Sequence, residues 1–300
     1  MNNAILYILT VLIWGTTWFA IKLQIGHAPD EISILYRAVL AAICLLVWCK
    51  IKKISLHFKP IDHVFLCALG LSMFSLHYLF VYSATNYLVS GVISVVFSGV
   101  SFLSILNNYL FFRTKPSFNV ILGAFIGISG LCVFFWDEVI HVTLQNNTLK
   151  GLGLAGVGTL IFSLGSSISR RNHSKGLEII PSMAMGMIYG TLAILLYSFV
   201  QSSHFVLPRS VSYWASLLYL VISGSIAAFL FYLKLIKNIG PELAGYTTIL
   251  FPVVALFVSY NLEGYQGSLN DLLGLICVII GNILVMRKKS LTKLFIRSGV

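Results

Sequence analysis

Ten apolar runs, each close to 20 residues long, follow one another along this chain with only short polar breaks between them. The spacing predicts helices over 3–22, 32–49, 63–84, 88–112, 118–136, 151–169, 179–200, 213–233, 242–261 and 270–286. A helix rises about 1.5 Å per residue, so a run of this length crosses a hydrocarbon core of about 30 Å. Inside such a core each backbone polar group must be bonded within its own segment, which makes these runs α-helices. Composition agrees, with 58% hydrophobic residues, 10% charged residues and a mean hydropathy of +0.93. A soluble domain carries about a quarter charged residues to coat its surface. The expectation is an all-α integral membrane protein with about ten transmembrane helices.

The net charge of +11 is a topology signal rather than a nucleic-acid footprint. Lys50, Lys52, Lys53 and Lys59, Arg113 and Lys115, Arg170, Arg171 and Lys175, Lys234 and Lys237, and the cluster at 287–297 all fall on one set of alternate sides. Only Lys22, Arg37, Lys150 and Arg209 lie elsewhere, while Asp30, Glu31, Asp137, Glu138, Glu263 and Asp271 gather on the opposite side. The excess of Lys and Arg marks the cytoplasmic face, so both termini are expected inside a plasma (inner) membrane. The N-terminal MNNAILY has no basic n-region, and the first run reads as a retained helix. The tail after Met286, RKKSLTKLFIRSGV, reads either as a basic anchor or as a segment lying along the inner leaflet. Cys44, Cys49, Cys67, Cys132 and Cys277 all sit inside apolar runs without CxxC spacing, the pattern of buried small hydrophobes.

The two halves of the chain echo each other. SGVISVVFS at 90–98 matches AGYTTILFP at 244–252, WGTTWFAIK at 14–22 sits opposite LGSSISRR at 164–171, and the pairs Gly123/Gly130 and Gly274/Gly281 share a spacing of seven. Five spans per half is an odd number, so the second half enters the membrane from the opposite side. That is an inverted repeat, an architecture of secondary transporters whose substrate sits near the midplane where the repeats meet. The expected division is a first five-helix repeat at 1–136, an extracytoplasmic linker at 137–150, a second repeat at 151–286 and a basic cytoplasmic tail at 287–300.

Trp14-Gly15 in the first helix, Arg37 in the second, and Leu250-Phe251-Pro252-Val253-Val254-Ala255 followed by Glu263 and Gly274 also carry a family resemblance. The chain resembles the EamA type of the drug/metabolite transporter superfamily over essentially its whole length. The resemblance implies a ten-helix exporter or permease of amino acids or other small metabolites. In one place the chain departs from the pattern: Arg113-Thr114-Lys115-Pro116 stands where a glutamate would mirror Glu263.

Polar side chains within the spans must face partners or water, so they mark packing seams or a pathway. On the first helix Trp14, Trp18 and Lys22 recur every four residues, with Gly15, Thr16 and Thr17 beside them. They read either as a cavity wall or as a helix-packing seam from whose outer end Lys22 snorkels. On the fourth helix Ser90, Ser94, Ser98 and Ser101 form a stripe, read either as close packing or as a cavity face. Its repeat partner carries Thr248 opposite Ser94, and Pro252, a helix break that frees a carbonyl, opposite Ser98. Tyr78 and Tyr246 lie deep enough to face a cavity. The substrate-binding candidates are therefore Trp14, Thr17, Trp18, Tyr78, Ser94, Ser98, Tyr246 and Thr248. Lys22, Arg37 and His77 supply an outer mouth that favours a carboxylate or phosphate, unless Arg37 instead caps carbonyls or pairs with Asp30 or Glu31 at the periphery.

No carboxylate lies in the middle of any span, so coupling runs through His77 or transport follows the substrate gradient. Gly127-Ile128-Ser129-Gly130 matches an intramembrane-protease pattern, but every later histidine falls in a loop, and GISG reads as a small-residue seam. His57 and Asp62 fit an acyltransferase spacing in a loop too short for a pocket, and the chain has no P-loop. No catalytic residue, metal ligand or cofactor is expected. The expected partners are a small-molecule metabolite and membrane lipid, not nucleic acid, and the chain works as a monomer or homodimer. The alternatives are a membrane-embedded enzyme and a sensor or assembly subunit of transporter-like architecture.

Overall fold

The computed structural model describes residues 2–113, 115–116, 118–134, 136, 147–245 and 247–286. Most of the linker and the whole basic tail lie outside these residues. Among the described residues there is no strand; ten helices account for the fold. They are α1 (Asn3–Lys22), α2 (Asp30–Ile51), α3 (Pro60–Thr85), α4 (Ser90–Phe112), α5 (Phe118–Phe134), α6 (Thr148–Ser174), α7 (Ile179–Val200), α8 (Val211–Gly240), α9 (Thr247–Leu262) and α10 (Leu269–Met286). Seven of them, α1 to α4 and α6 to α8, are long and apolar enough to cross a membrane, while α5, α9 and α10 contain shorter apolar stretches.

Local chemistry sets the helix ends. The Asn2 side chain accepts from the Ala4 amide at 3.2 Å and starts α1. Pro60 opens α3, where its missing N–H leaves no bond unmade. Gly240, at φ +86°, ends the regular path of α8 in a conformation that disfavours a side chain.

The helix pairings come in matched sets. α1 packs on α9 as α6 packs on α4, α3 packs on α6 as α8 packs on α1, and α3 packs on α7 as α8 packs on α2. The pairs α2 with α7, α4 with α9 and α5 with α10 map onto themselves. This is the contact pattern of a pseudo-two-fold relation between two halves of five helices each, the odd number that an inverted repeat requires. The symmetry extends to a local irregularity: α3 widens into a π-helix at Leu71–Leu76, and its counterpart α8 does so at Leu220–Ala227. π-Bulges of this sort cluster at functional sites.

Glycines allow the closest crossings. A Cβ on Gly70 would stand 2.2 Å from the Gly186 carbonyl oxygen, which brings α3 and α7 into backbone contact. On α10, a Cβ at Gly281 would stand 2.5 Å from the Gly123 carbonyl oxygen, and one at Gly130 of α5 would meet the Gly274 oxygen at 2.8 Å. Gly123, Gly127 and Gly130 of α5, which include the GISG motif and a GxxxG spacing, are therefore used within the chain, against α10.

Candidate functional site

A cavity of about 30 Å³ lies where the two halves meet. α1 contributes Trp14, Thr17, Trp18 and Ile21, α2 contributes Arg37, and α3 contributes His77, Tyr78 and Val81. The remaining walls are phenylalanines: Phe97 of α4, Phe162 of α6, Phe229 of α8 and Phe251 of α9. The α1 face explains the geometry. At 100° per residue, Ile21 falls within about 20° of Trp14 around the helix, whereas Lys22 falls about 80° away. The wall is therefore Trp14–Thr17–Trp18–Ile21, and Lys22 turns off it. Its ammonium instead donates to the Thr85 carbonyl at 3.0 Å, capping the C-terminus of α3 at the negative end of that helix. Lys22 is not part of the cavity mouth that its sequence position predicts.

Arg37 is 3% exposed and sits on the cavity wall. Its Nε donates to Ser225 Oγ at 2.6 Å, inside the π-helical segment of α8. Its Nη2 donates to Tyr78 Oη at 2.8 Å, and the guanidinium lies 4.2 Å from the centre of the Tyr78 ring. The peripheral pairing with Asp30 or Glu31 does not occur: Asp30 accepts from Asn86 and Glu31 from Ser203. The remaining nitrogen of Arg37, Nη1, makes no well-aligned hydrogen bond, although the guanidinium lies within reach of Tyr82, and Trp18 Nε1 and His77 Nδ1 likewise lack a well-aligned partner. Three buried nitrogens without well-aligned partners thus belong to one cavity lining.

The walls interlock as aromatic edges. Trp14 meets Phe162, Phe229 and Tyr232 at ring separations of 5.7, 5.2 and 4.9 Å, and its Nε1 reaches the Gly224 carbonyl at 3.4 Å. Trp18 meets Phe97 at 5.2 Å and Phe251 at 5.6 Å. His77 lies against Tyr78 at 3.8 Å and Phe162 at 5.3 Å. Gly224 makes the close fit possible, since a Cβ there would stand 3.0 Å from the Thr17 methyl and 3.2 Å from Arg37 Nη2.

The sequence candidates separate into two groups. Trp14, Thr17, Trp18, Tyr78, Arg37 and His77 converge on the cavity, although Thr17 Oγ1 is already bonded to the Trp14 carbonyl at 2.8 Å and presents its methyl group. Ser94, Ser98 and Thr248 do not line it. They are fully buried, and their hydroxyls donate within their own chain segments to the carbonyls of Gly91, Val95 and Gly245 at 2.5, 2.6 and 2.5 Å. A serine or threonine hydroxyl reaches a carbonyl three or four residues back, so a hydroxyl stripe needs no pathway to satisfy it. Pro252 lies inside α9, which continues past it, so it is not a helix break. The interruption lies in the other half, at Ser98–Gly99 of α4. Tyr246 lies outside the described residues.

Glu263 has a different task. Its Oε2 accepts from the Ser90 amide at 3.1 Å, from Ser90 Oγ at 2.9 Å and from Ser259 Oγ at 2.6 Å, placing a carboxylate at the N-terminus of α4. The four phenylalanines of the wall carried no polar signal, but repeat spacing would have revealed two of them. Phe97 and Phe251 stand at the same 154-residue shift that relates the two matched segments.

The EamA-like transporter family matches residues 1–136 and again 149–287. Protein PagO of Salmonella typhimurium is 22% identical, covering 97% of this chain and 95% of its own length. An uncharacterized transporter of Archaeoglobus fulgidus is 24% identical over 96% of this chain, and the uncharacterized inner membrane transporter YedA of Escherichia coli is 26% identical over 93%. A solved crystal structure shares the fold at a TM-score of 0.72 and 16% identity, covering 94% of this chain and 95% of its own. With paired five-helix halves, a cavity between them and a family match along both halves, the chain belongs to the EamA-like transporter family.

Proposed function

We propose that this transporter is an exporter or permease of amino acids or other small organic metabolites, acting in the inner membrane by alternating access. The observation that carries the reading is the cavity between the halves, with Arg37, His77, Tyr78 and two indoles on a largely apolar wall. Sites of this kind, apolar with a few convergent polar groups, bind small organic molecules. A volume of about 30 Å³ accommodates only a water or two, so a metabolite enters after the walls separate.

Hydrogen bonds at both ends supply the elements that such a cycle breaks alternately. At the outer end Glu263 of the second half accepts from Ser90 of the first at 2.9 Å, tying α9 to α4. At the inner end Arg171 of α6 pairs with Asp62 of α3 at 3.3 Å, and Arg170 donates to Asn108 of α4 at 2.5 Å. Rocking of one half against the other opens one set while the second holds.

The test is flux into proteoliposomes containing the purified chain, with amino acids, organic acids and nucleosides as solutes, with and without an imposed pH gradient. Saturable flux of one class supports the reading. Solute-independent leakage at the rate of protein-free vesicles overturns it.

A further inference from the structure

We propose that the cavity selects a small apolar monocarboxylate, held by Arg37 through its carboxylate, over zwitterionic amino acids and amines. The proposal rests on the transport reading only in taking this cavity as the substrate site.

The argument is an inventory of unmade hydrogen bonds. Buried polar groups in folded proteins are almost always partnered, so several orphans around one cavity describe the ligand that completes them. Here the orphans are Arg37 Nη1, Trp18 Nε1 and His77 Nδ1. A guanidinium and an indole can only donate, and the imidazole nitrogen donates or accepts by tautomer. The matching ligand group is therefore an acceptor, and a carboxylate offers two oxygens to donors of this kind.

Charge points the same way. Arg37 is 3% exposed, and its hydrogen-bond partners Ser225 and Tyr78 are both neutral. No aspartate or glutamate lines the cavity among the described residues. A buried cation without a counter-ion is costly, and one anion offsets it. A single guanidinium suits a single negative charge.

The same inventory argues against an ammonium. Its three donors need acceptors. Of the acceptors at the cavity, the Gly224 carbonyl already receives Trp14 Nε1 and the Tyr78 oxygen receives Arg37 Nη2, which leaves Thr17 Oγ1 and one tautomer of His77 Nδ1, fewer than three donors need. The Arg37 guanidinium already places one positive charge at the wall, and it disfavours a second cation beside it. An amino acid would bring a group that this site leaves unsatisfied. The phenylalanine and tryptophan walls then suit an uncharged, flat or branched body.

Trp14 and Trp18 make the site its own reporter. The purified full-length chain in detergent is titrated with phenylacetate, phenylalanine and phenethylamine while indole fluorescence is followed, and the same three solutes are tested for flux in proteoliposomes. Phenylacetate is expected to bind at least about ten-fold more tightly than the other two, the scale of a charge-assisted hydrogen bond. Arg37→Gln is expected to weaken phenylacetate binding by a similar factor and to remove its preference over phenethylamine. Arg37→Lys is expected to retain part of it, because the charge remains while the fork geometry is lost.

Equal or tighter binding of phenylalanine or phenethylamine by the unaltered chain overturns the proposal, whether or not the variants fold. Flux of phenylalanine without flux of phenylacetate also overturns it, and leaves the transport reading standing. Selective binding of phenylacetate without flux of any solute supports the ligand assignment and counts against transport. No saturable binding of any of the three overturns the proposal.

Discussion

The α1 face and the α4 stripe look alike in the sequence, each a row of polar residues repeating about once per turn through an apolar span. In the structure they are opposites. The serines of α4 turn their hydroxyls back onto their own helix, as Ser94 and Ser98 do on Gly91 and Val95, and the stripe becomes packing. On α1 the Trp18 indole is too large and too stiff to reach its own backbone, so its N–H stays unsatisfied at a cavity wall. A polar residue in a membrane helix marks a site when its geometry denies it a local partner.

Mutations can break this contrast, and Trp14→Ala has the largest expected effect. The ring packs against three helices of the second half, so its removal leaves a void worth about 3–5 kcal/mol. The apparent melting temperature in detergent should fall more than for any other variant named here, with flux lost. Glu263→Gln comes next. It weakens the carboxylate cap on α4 and should lower stability by about 1 kcal/mol, read as a shift of the detergent melting curve. An unshifted curve would show that this outer tie contributes nothing.

Gly224→Ala sharpens the comparison at the cavity itself. The added methyl meets Thr17 and Arg37 at 3.0 and 3.2 Å, close enough to displace both slightly. A few-fold drop in flux is expected, with a stability loss of about 1 kcal/mol or less. The double variant Ser94→Ala/Ser98→Ala should change least. Both hydroxyls bond only to their own helix, so stability should move by less than about 1 kcal/mol with flux unchanged. A large loss of flux in that variant would return the α4 stripe to the pathway.

Legibility followed the strength of each physical constraint. Helix type and number were readable because runs such as 3–22 and 179–200 meet the membrane with enough apolar length that few folds remain open. The inverted relation of the halves was readable from odd parity and the placement of basic residues, and the matched pairings now display it. Tyr78 and Trp18 stood out because aromatic groups with a polar edge are conspicuous in lipid-grade sequence. Phe162 and Phe229 did not, since a phenylalanine in an apolar run looks the same whether it faces a cavity, a helix or lipid.

The sequence by itself determined that this chain is a bundle of membrane helices in two inverted halves, because hydropathy and charge placement act through composition and period alone. Only the tertiary structure decided which polar residues are left wanting. Lys22 found the Thr85 carbonyl, Glu263 found Ser90 of the other half, and Arg37 was carried to a wall without carboxylates with one nitrogen unmatched. Satisfaction of a hydrogen bond depends on where partners from other helices arrive, and no local pattern encodes that arrival.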